Sequence, residues 1–170
     1  PDALQKSIEA AEEAERIAQE EAESRNITVG GVSINLAQLG ISFDPNEQQL
    51  EALNNIAEFI SKGFDQTAEN VTDNMYTLMG YAGTGKTSIT KILLAYLKKR
   101  GIVNEITATT HKAKGVLSTA VGQSSTTIHK ALGLAPGIDP TMINLKELNM
   151  HIVKEEMTVP DVLIIDELSL

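Results

Sequence analysis

Eight residues from Gly80 to Thr87 constrain the fold of this chain more than any other part of it. They match the pattern G-x-x-x-x-G-K-[ST], in which a glycine-rich loop binds phosphate groups. Several backbone N–H groups must point into one small concavity there, and glycine permits the turns that this requires. Lys86 is positioned to reach the β- and γ-phosphates, and the Thr87 hydroxyl to bind Mg²⁺. The pattern therefore predicts a site for ATP with Mg²⁺.

The segments on either side of the loop support this prediction. Residues 75–79 have the composition of a strand, and apolar residues recur at helical spacing after the loop, at Ile89, Ile92, Leu93, Tyr96 and Leu97. The start of a helix carries partial positive charge and free N–H donors, which favour bound phosphate. A flexible glycine turn is the alternative, but it does not explain the strand–loop–helix order. The residues expected to contact the nucleotide phosphates are Gly80, Ala82, Gly83, Thr84, Gly85, Lys86, Thr87 and Ser88.

A second candidate element is the apolar run 162–165, which is followed by Asp166 and Glu167. An unbroken apolar run predicts a central strand of a parallel sheet that is covered on both faces. Side chains at the carboxyl end of such a strand emerge where α/β proteins bind nucleotides. We expect Asp166 to bind Mg²⁺, and Glu167 to orient and deprotonate an attacking water molecule. Acidic surface residues that merely follow a strand are the alternative interpretation.

The charge of the chain is unevenly distributed along the sequence. The net charge of −9 over 170 residues argues by itself against a nucleic-acid partner. Residues 1–44, however, hold nine acidic and three basic residues, whereas residues 86–130 hold eight basic residues and one acidic residue. A basic segment directly after a phosphate-binding loop is a feature that a polyanion-binding ATPase needs.

The composition also excludes several classes of protein. The absence of cysteine excludes disulfides and thiolate metal sites and is typical of a reducing compartment, so we expect a cytoplasmic protein. No run approaches ~18 consecutive apolar residues and no signal-peptide pattern is present, so no membrane partner is expected. Pro1 is not an initiator methionine, and Leu170 follows an apolar run without a capping signal, which predicts a fragment of a longer chain.

Residues 1–43 are expected to form an acidic arm and a small hairpin. The segment 4–24 is rich in Ala and Glu and predicts a solvated helix, with a partner-binding or autoinhibitory arm as the alternative. Residues 27–34 predict a hairpin with a Gly-Gly turn. Asp44 is then predicted to cap the next helix, with Glu47 completing a capping box.

Five motifs, in the order found in a known family, extend over residues 44–170. Besides the phosphate-binding loop, they are PNEQQLEAL at 45–53, ATTHKAK at 108–114, STTIH at 125–129 and VLIIDELSL at 162–170. Together they resemble the first RecA-like motor domain of superfamily 1 DNA helicases of the 5′-to-3′ RecD/Dda type. One departure is Thr109, where the family commonly has proline. The resemblance implies an α/β P-loop domain with a mainly parallel sheet in three layers, truncated just after the Asp-Glu motif.

The resemblance also implies roles for individual residues. Gln49, in preference to Gln48, is expected to contact the edge of adenine, because the predicted capping pattern accounts for Glu47 but not for Gln49. Contacts to single-stranded DNA are implied for Thr110, His111, Lys112, Thr127 and His129. Helix capping is the alternative interpretation of the two threonines.

The parent protein is therefore expected to hydrolyse ATP, to translocate 5′-to-3′ on single-stranded DNA and to unwind duplex. We expect a monomer in DNA replication, repair or recombination, with the arm as a contact for partner proteins. Rapid hydrolysis needs an arginine at the transferring phosphoryl group. The resemblance places that arginine in a second RecA-like domain, so residues 1–170 alone are expected to be inactive. The alternatives are another P-loop ATPase, such as a clamp-loader-like or packaging motor, and a nucleotide- or DNA-binding module without turnover.

Overall fold

The structure is a computed structural model that describes residues 2–80, 83–133 and 159–166, apart from the side chain of Val71. The chain divides into two compact units, Pro1–Tyr96 and Leu97–Leu170. Helices and a parallel sheet are both present, so the predicted α/β class is confirmed. No helix within the described residues is long and apolar enough to cross a membrane. The division of the chain between residues 43 and 44 stays a prediction.

The first helix, α1 (Asp2–Glu23), is acidic and has no buried residue. Its charged side chains pair along the helix surface, where Arg16 contacts Glu13 at 2.6 Å and Glu20 at 2.8 Å. The hydrogen bond from Arg16 lowers the pKa of Glu13 from its usual value. Side-chain pairs three and four residues apart support a helix locally. The structure thus agrees with the predicted solvated helix.

A two-stranded antiparallel hairpin follows, formed by β1 (Asn26–Val29) and β2 (Val32–Asn35). Its turn is Gly30-Gly31, where φ is +53° and +78°, and glycine adopts these angles without strain. Val29 is fully buried on the inner face of the hairpin. The hairpin predicted from residues 27–34 is confirmed.

Helix α2 (Glu47–Lys62) has Asn46 as its N-cap, so the prediction that Asp44 caps this helix with Glu47 is wrong. The Asn46 side chain accepts the backbone N–H of Gln49 at 2.9 Å, and the Gln49 side chain accepts the backbone N–H of Asn46 at 2.9 Å. A capping box requires partners three residues apart. Both Asp44 with Glu47 and Asn46 with Gln49 have this spacing, and the second pair forms the capping box.

The hairpin packs on α2 at its glycine turn. The backbone N–H of Gly30 donates to the Asn54 side chain at 3.0 Å. A Cβ on Gly30 would lie 2.7 Å from Cβ of Ala57 and 3.0 Å from the ring of Tyr96. Both Ala57 and Tyr96 are fully buried, so the turn lies directly on the core of the first unit.

The segment that leads to the phosphate-binding loop forms no strand. A short 3₁₀ helix (Val71–Asn74) precedes residues 75–80, which have no β pairing with any part of the chain that the structure describes. The strand predicted at residues 75–79 is therefore wrong. Strand propensity is realised only where a neighbouring strand supplies hydrogen bonds and packing. Here Tyr76 packs on the ring of Phe59, but Met75 and Met79 are 54% and 86% exposed, so the segment has little of the packing that a strand needs.

Helix α3 (Lys86–Lys99) begins at the phosphate-binding loop. The residues predicted to share one face are all buried, namely Ile89, Ile92, Leu93, Tyr96 and Leu97. The helix ends before Gly101, whose φ is +67°. Lys98 and Lys99 lie in its last turn, where positive charge offsets the helix dipole.

The second unit contains a parallel sheet with the strand order β4–β3–β5. The central strand is β3 (Asn104–Ala108), and it pairs with β4 (Thr126–Thr127) and β5 (Val162–Asp166). Ile106 is fully buried in β3. Helix α4 (His111–Val121) follows β3, and the short helix α5, of residues 128–131, follows β4.

The position of β5 differs from the prediction. Among the described residues β5 pairs only with β3 and forms an edge of the sheet, so the predicted central position is wrong. Leu163 and Ile165 share one face of this strand and are 39% and 36% exposed. An apolar run predicts a strand, but the elements that cover its faces are distant in sequence.

Candidate functional site

The phosphate-binding loop has the backbone geometry that its glycines imply. Gly83 and Gly85 have φ of +81° and +83°, which residues with a Cβ rarely adopt. A Cβ on Gly80 would lie 2.7 Å from the hydroxyl oxygen of Thr84. The N–H of Ile89 donates to the carbonyl of Gly85 at 3.0 Å, so α3 begins directly after the loop. Each of the three glycines therefore has a structural reason to be glycine.

The first turn of α3 presents the predicted phosphate and Mg²⁺ ligands. Lys86 and Thr87 are exposed, and Ser88 is half-buried. An accessible ammonium and hydroxyl at a helix start, after a loop of this geometry, fit a triphosphate with its metal ion. Ala82, which was predicted to contact the nucleotide, lies outside the described residues.

Gln49 connects the start of α2 to the phosphate-binding loop. Its Nε2 donates to the backbone carbonyl of Thr84 at 2.9 Å, while its Oε1 accepts the N–H of Asn46 at 2.9 Å. The expectation that capping does not involve Gln49 is therefore wrong, because this side chain is half of the capping box. Gln48, the other candidate, is exposed. Contact between Gln49 and adenine stays a prediction.

Two residues beside the loop were not expected from the sequence. Asn46 holds Gln49 in place, and a Cβ on Gly85 would lie 2.7 Å from Nε2 of Gln49 and 3.8 Å from Cζ of Phe43. The signal for Asn46 was present, because Asn-x-x-Gln has the spacing of a capping box. No local pattern identifies Phe43, since its place beside the loop results from packing between segments that are distant in sequence.

The carboxyl ends of the three parallel strands lie side by side in the second unit. Asp166 is the last residue of β5 and lies opposite Ala108 of β3, which in turn lies opposite Thr127 of β4. This edge of a parallel sheet is where α/β proteins bind their ligands. A predicted Mg²⁺ ligand and a predicted DNA-binding residue therefore share one edge. Glu167, the predicted base, lies outside the described residues.

The two predicted DNA-binding threonines act as helix caps. The Thr110 side chain accepts the N–H of Ala113 at 3.1 Å at the start of α4. The Thr127 side chain accepts the N–H of Lys130 at 3.4 Å at the start of α5. The alternative interpretation is thus present in the structure. Capping does not exclude a DNA contact, because a hydroxyl has more than one hydrogen-bonding position.

The other three predicted DNA-binding residues follow these caps. His111 and Lys112 are exposed in the first turn of α4, and His129 is half-buried in α5. An exposed lysine at a helix start is accessible to a phosphate group. Binding of DNA by these residues stays a prediction.

The buried Ser125 ties the segment before β4 to α4. Its hydroxyl donates to the carbonyl of Lys114 at 2.9 Å and lies 2.6 Å from the hydroxyl of Ser118. Its backbone N–H donates to the Ser118 hydroxyl at 3.0 Å. These bonds are shielded from water, since Ser125 is 2% exposed. These hydrogen bonds therefore join α4, which carries His111 and Lys112, to the segment that leads to Thr127 and His129.

Comparison with known proteins gives two matches. A family model described as an AAA domain matches residues 65–170. The chain is 33% identical over 126 residues to the ATP-dependent DNA helicase dda of Enterobacteria phage T4, a match that covers 71% of this chain and 26% of the phage protein. The chain thus spans about a quarter of the length of this relative. No solved structure gives a significant match.

Both matches agree with the motifs and with the loop geometry. The AAA domain match contains the phosphate-binding loop, α3 and the three parallel strands that the structure describes. The predicted resemblance to Dda-type helicases of superfamily 1 is confirmed by the similarity to the phage protein. The chain belongs to the AAA domain family of P-loop proteins.

Proposed function

We propose that the chain is part of a DNA helicase that hydrolyses ATP in order to move along single-stranded DNA. The observation that carries this proposal is the hydrogen bond from the Gln49 side chain to the carbonyl of Thr84 in the phosphate-binding loop. It puts an amide suited to the edge of a nucleobase beside a backbone suited to phosphates. The similarity to a named DNA helicase supports the same conclusion.

Three residues have different proposed roles in binding Mg-ATP, namely Lys86, Thr87 and Asp166. Lys86 offsets the charge that develops on the oxygens of the γ-phosphate as its bond to ADP breaks. The Thr87 hydroxyl and the Asp166 carboxylate would hold Mg²⁺, which neutralises phosphate charge when bound. The backbone N–H groups of the loop orient the phosphates for attack.

Glu167 is proposed as the general base. A water molecule attacks the γ-phosphorus while its proton passes to the Glu167 carboxylate, and the products are ADP and phosphate. A base for water is needed in an ATP hydrolase, whereas a small-molecule kinase has an acceptor hydroxyl instead. The adjacent Asp166 is proposed to bind Mg²⁺, so the two carboxylates have different roles.

Single-stranded DNA is proposed to bind at the starts of α4 and α5. Helix starts offer N–H donors and partial positive charge to phosphate oxygens. The contacts are proposed to come from Thr110, His111, Lys112, Thr127 and His129. Under this proposal translocation runs 5′-to-3′, separates duplex DNA, and takes place in a cytoplasmic monomer that serves replication, repair or recombination.

ATP hydrolysis by the full-length protein should be stimulated by single-stranded DNA. We expect stimulation of about tenfold or more, the usual scale of coupling between two ligand sites. Unwinding should require a 5′ single-stranded tail on the duplex. Turnover that is indifferent to DNA would instead indicate another kind of P-loop ATPase, and absence of turnover would indicate a binding module. Either result contradicts the proposal.

Replacing Thr110 with aspartate should weaken DNA binding without destabilising α4. Aspartate caps a helix at least as well as threonine, but its charge repels a DNA phosphate. We expect the Kd for a single-stranded oligonucleotide to rise by about tenfold or more, measured by fluorescence anisotropy, with an unchanged melting temperature. Thr110→Ser is the matched control and should bind normally. Normal binding by Thr110→Asp would remove the start of α4 from the DNA site.

A further inference from the structure

We propose that Arg25 is a positioning residue for the nucleobase of ATP. It holds the ring of Phe43 beside Gln49, and this ring and amide together form a nucleobase platform. The inference rests on the proposed function, because it assigns the base end of the same nucleotide site. Arg25 and Phe43 both precede residue 65, where the match to the AAA domain model begins.

The guanidinium of Arg25 binds three consecutive backbone carbonyls and one carboxylate. Nη2 donates to the carbonyls of Ile41 at 2.8 Å and Phe43 at 3.1 Å. Nη1 donates to the carbonyl of Ser42 at 3.3 Å and lies 3.4 Å from the carboxylate of Asp44. A planar fork of donors can satisfy several acceptors at once, which an ammonium group does less well. The backbone of this segment is therefore fixed by one side chain.

The hairpin in turn fixes Arg25. The backbone carbonyl of Arg25 accepts the N–H of Leu36 at 3.0 Å, and Leu36 is almost fully buried. The Arg25 side chain is 26% exposed, so its hydrogen bonds are partly shielded from water. Hydrogen bonds between charged and neutral groups are stronger under such shielding. Arg25 thus links the hairpin by hydrogen bonds to the segment that carries Phe43.

The ring of Phe43 lies at the phosphate-binding loop without being buried. Its Cζ would be 3.8 Å from a Cβ on Gly85, and Nε2 of Gln49 would be 2.7 Å from the same point. Phe43 is nevertheless 42% exposed. A large apolar ring that is held in place but left accessible, next to an amide, has the composition of a site for a flat heterocyclic ligand. Stacking on an aromatic ring is favourable for any base.

The same contacts predict that a substitution at Arg25 weakens binding of the nucleobase without weakening binding of the phosphates. The segment held by Arg25 leads directly to Asn46, whose side chain caps α2 and holds Gln49. Loss of Arg25 is expected to displace Phe43, whereas Gln49 keeps its hydrogen bonds to Asn46 and to the loop carbonyl of Thr84. Lys86 and Thr87 lie on α3 and receive no contact from Arg25 in the described residues. Binding of phosphates alone should be unaffected.

The test compares ATP with tripolyphosphate, which has the phosphates but no base. Steady-state ATPase assays of the full-length protein at saturating single-stranded DNA give KM and kcat, and competition gives the inhibition constant of tripolyphosphate. For Phe43→Ala and for Arg25→Ala we expect KM for ATP to rise about tenfold, the scale of one base–aromatic stack. The effect should fall on KM rather than kcat, and the inhibition constant of tripolyphosphate should change less than twofold.

Matched variants separate positioning from general stability. Phe43→Tyr keeps the ring and should raise KM for ATP far less than Phe43→Ala does. Arg16→Ala removes an exposed arginine of α1 and should leave KM and kcat for ATP unchanged. Because Arg25 acts through Phe43, the double variant should raise KM little more than the larger single change. Arg25→Lys, which keeps the charge but not the fork, should fall between Arg25→Ala and the original protein.

Three results would overturn the inference. KM for ATP could stay unchanged in Phe43→Ala, which would place the base elsewhere. The inhibition constant of tripolyphosphate could rise in parallel with KM, which would make Arg25 a general support of the loop. The two single changes could be additive, which would separate Arg25 from Phe43. If Arg25→Ala fails to fold, Phe43→Ala and Arg25→Lys decide the matter. Absence of ATP turnover in the original protein would contradict the proposed function instead.

Discussion

Replacing Lys86 with alanine should lower the rate of ATP hydrolysis by about two to three orders of magnitude, the usual effect of removing one group that stabilises transition-state charge. Lys86 is the first residue of α3, is exposed, and directly follows the glycines with positive φ. In this sequence pattern the lysine ammonium group offsets negative charge on the γ-phosphate. The rate is measured as phosphate release by the full-length protein with single-stranded DNA present.

The control for Lys86→Ala is Lys98→Ala on the same helix. Lys98 lies in the last turn of α3 and is exposed, so its loss removes the same charge at the opposite end of one element. We expect Lys98→Ala to retain normal turnover.

Glu167→Gln should abolish turnover but allow ATP to bind, because only the proton acceptor is lost. Normal turnover in both Lys86→Ala and Glu167→Gln would refute the proposed site.

Replacing Gly30 with alanine should lower the free energy of unfolding by about 2–5 kcal/mol. A φ of +53° is unfavourable for alanine by roughly 1–2 kcal/mol. Its Cβ would also lie 2.7 Å from Cβ of Ala57 and 3.0 Å from the ring of Tyr96. Overpacking of this kind typically costs about 1–3 kcal/mol. The measurement is chemical denaturation followed by circular dichroism.

The neighbouring glycine is the matched control for this steric argument. Gly31 also has a positive φ, +78°, but nothing lies within 4 Å of a Cβ placed there. Gly31→Ala should therefore show only the backbone term, about 1–2 kcal/mol. Equal destabilisation by the two substitutions would mean that the turn does not press on α2 and Tyr96. A larger loss at Gly30 confirms the close packing of the hairpin.

Features that depend on local spacing could be predicted from the sequence. The buried face of α3 follows from apolar residues at helical intervals, and Ile92 and Leu97 are both almost fully buried. The hairpin turn follows from two adjacent glycines between short segments in which apolar and polar residues alternate. The positive φ values of Gly83 and Gly85 follow from the need to turn a chain around phosphate. Each of these features is determined by residues that lie close together in the sequence.

Features that depend on distant partners could not be predicted. Residues 75–79 have the composition of a strand but no paired neighbour among the described residues. Strand β5 has an exposed face although its first four residues, 162–165, are all apolar. Phe43 and Arg25 were missed for the same reason. Their contacts join parts of the chain that no short pattern relates, such as Arg25 to the carbonyls of residues 41–43. The predicted N-cap failed differently, because two pairs of residues had equally suitable spacing.

The double use of the Gln49 amide has a practical consequence for ligand assays. The oxygen of this amide begins α2 and its nitrogen holds the loop, so exchanging the residue alters the empty protein as well as the complex. A thermal-shift experiment on such a variant starts from a lowered baseline, and the ligand-induced rise must be compared with that baseline. Titration calorimetry, which records heat per mole of nucleotide, isolates the affinity itself.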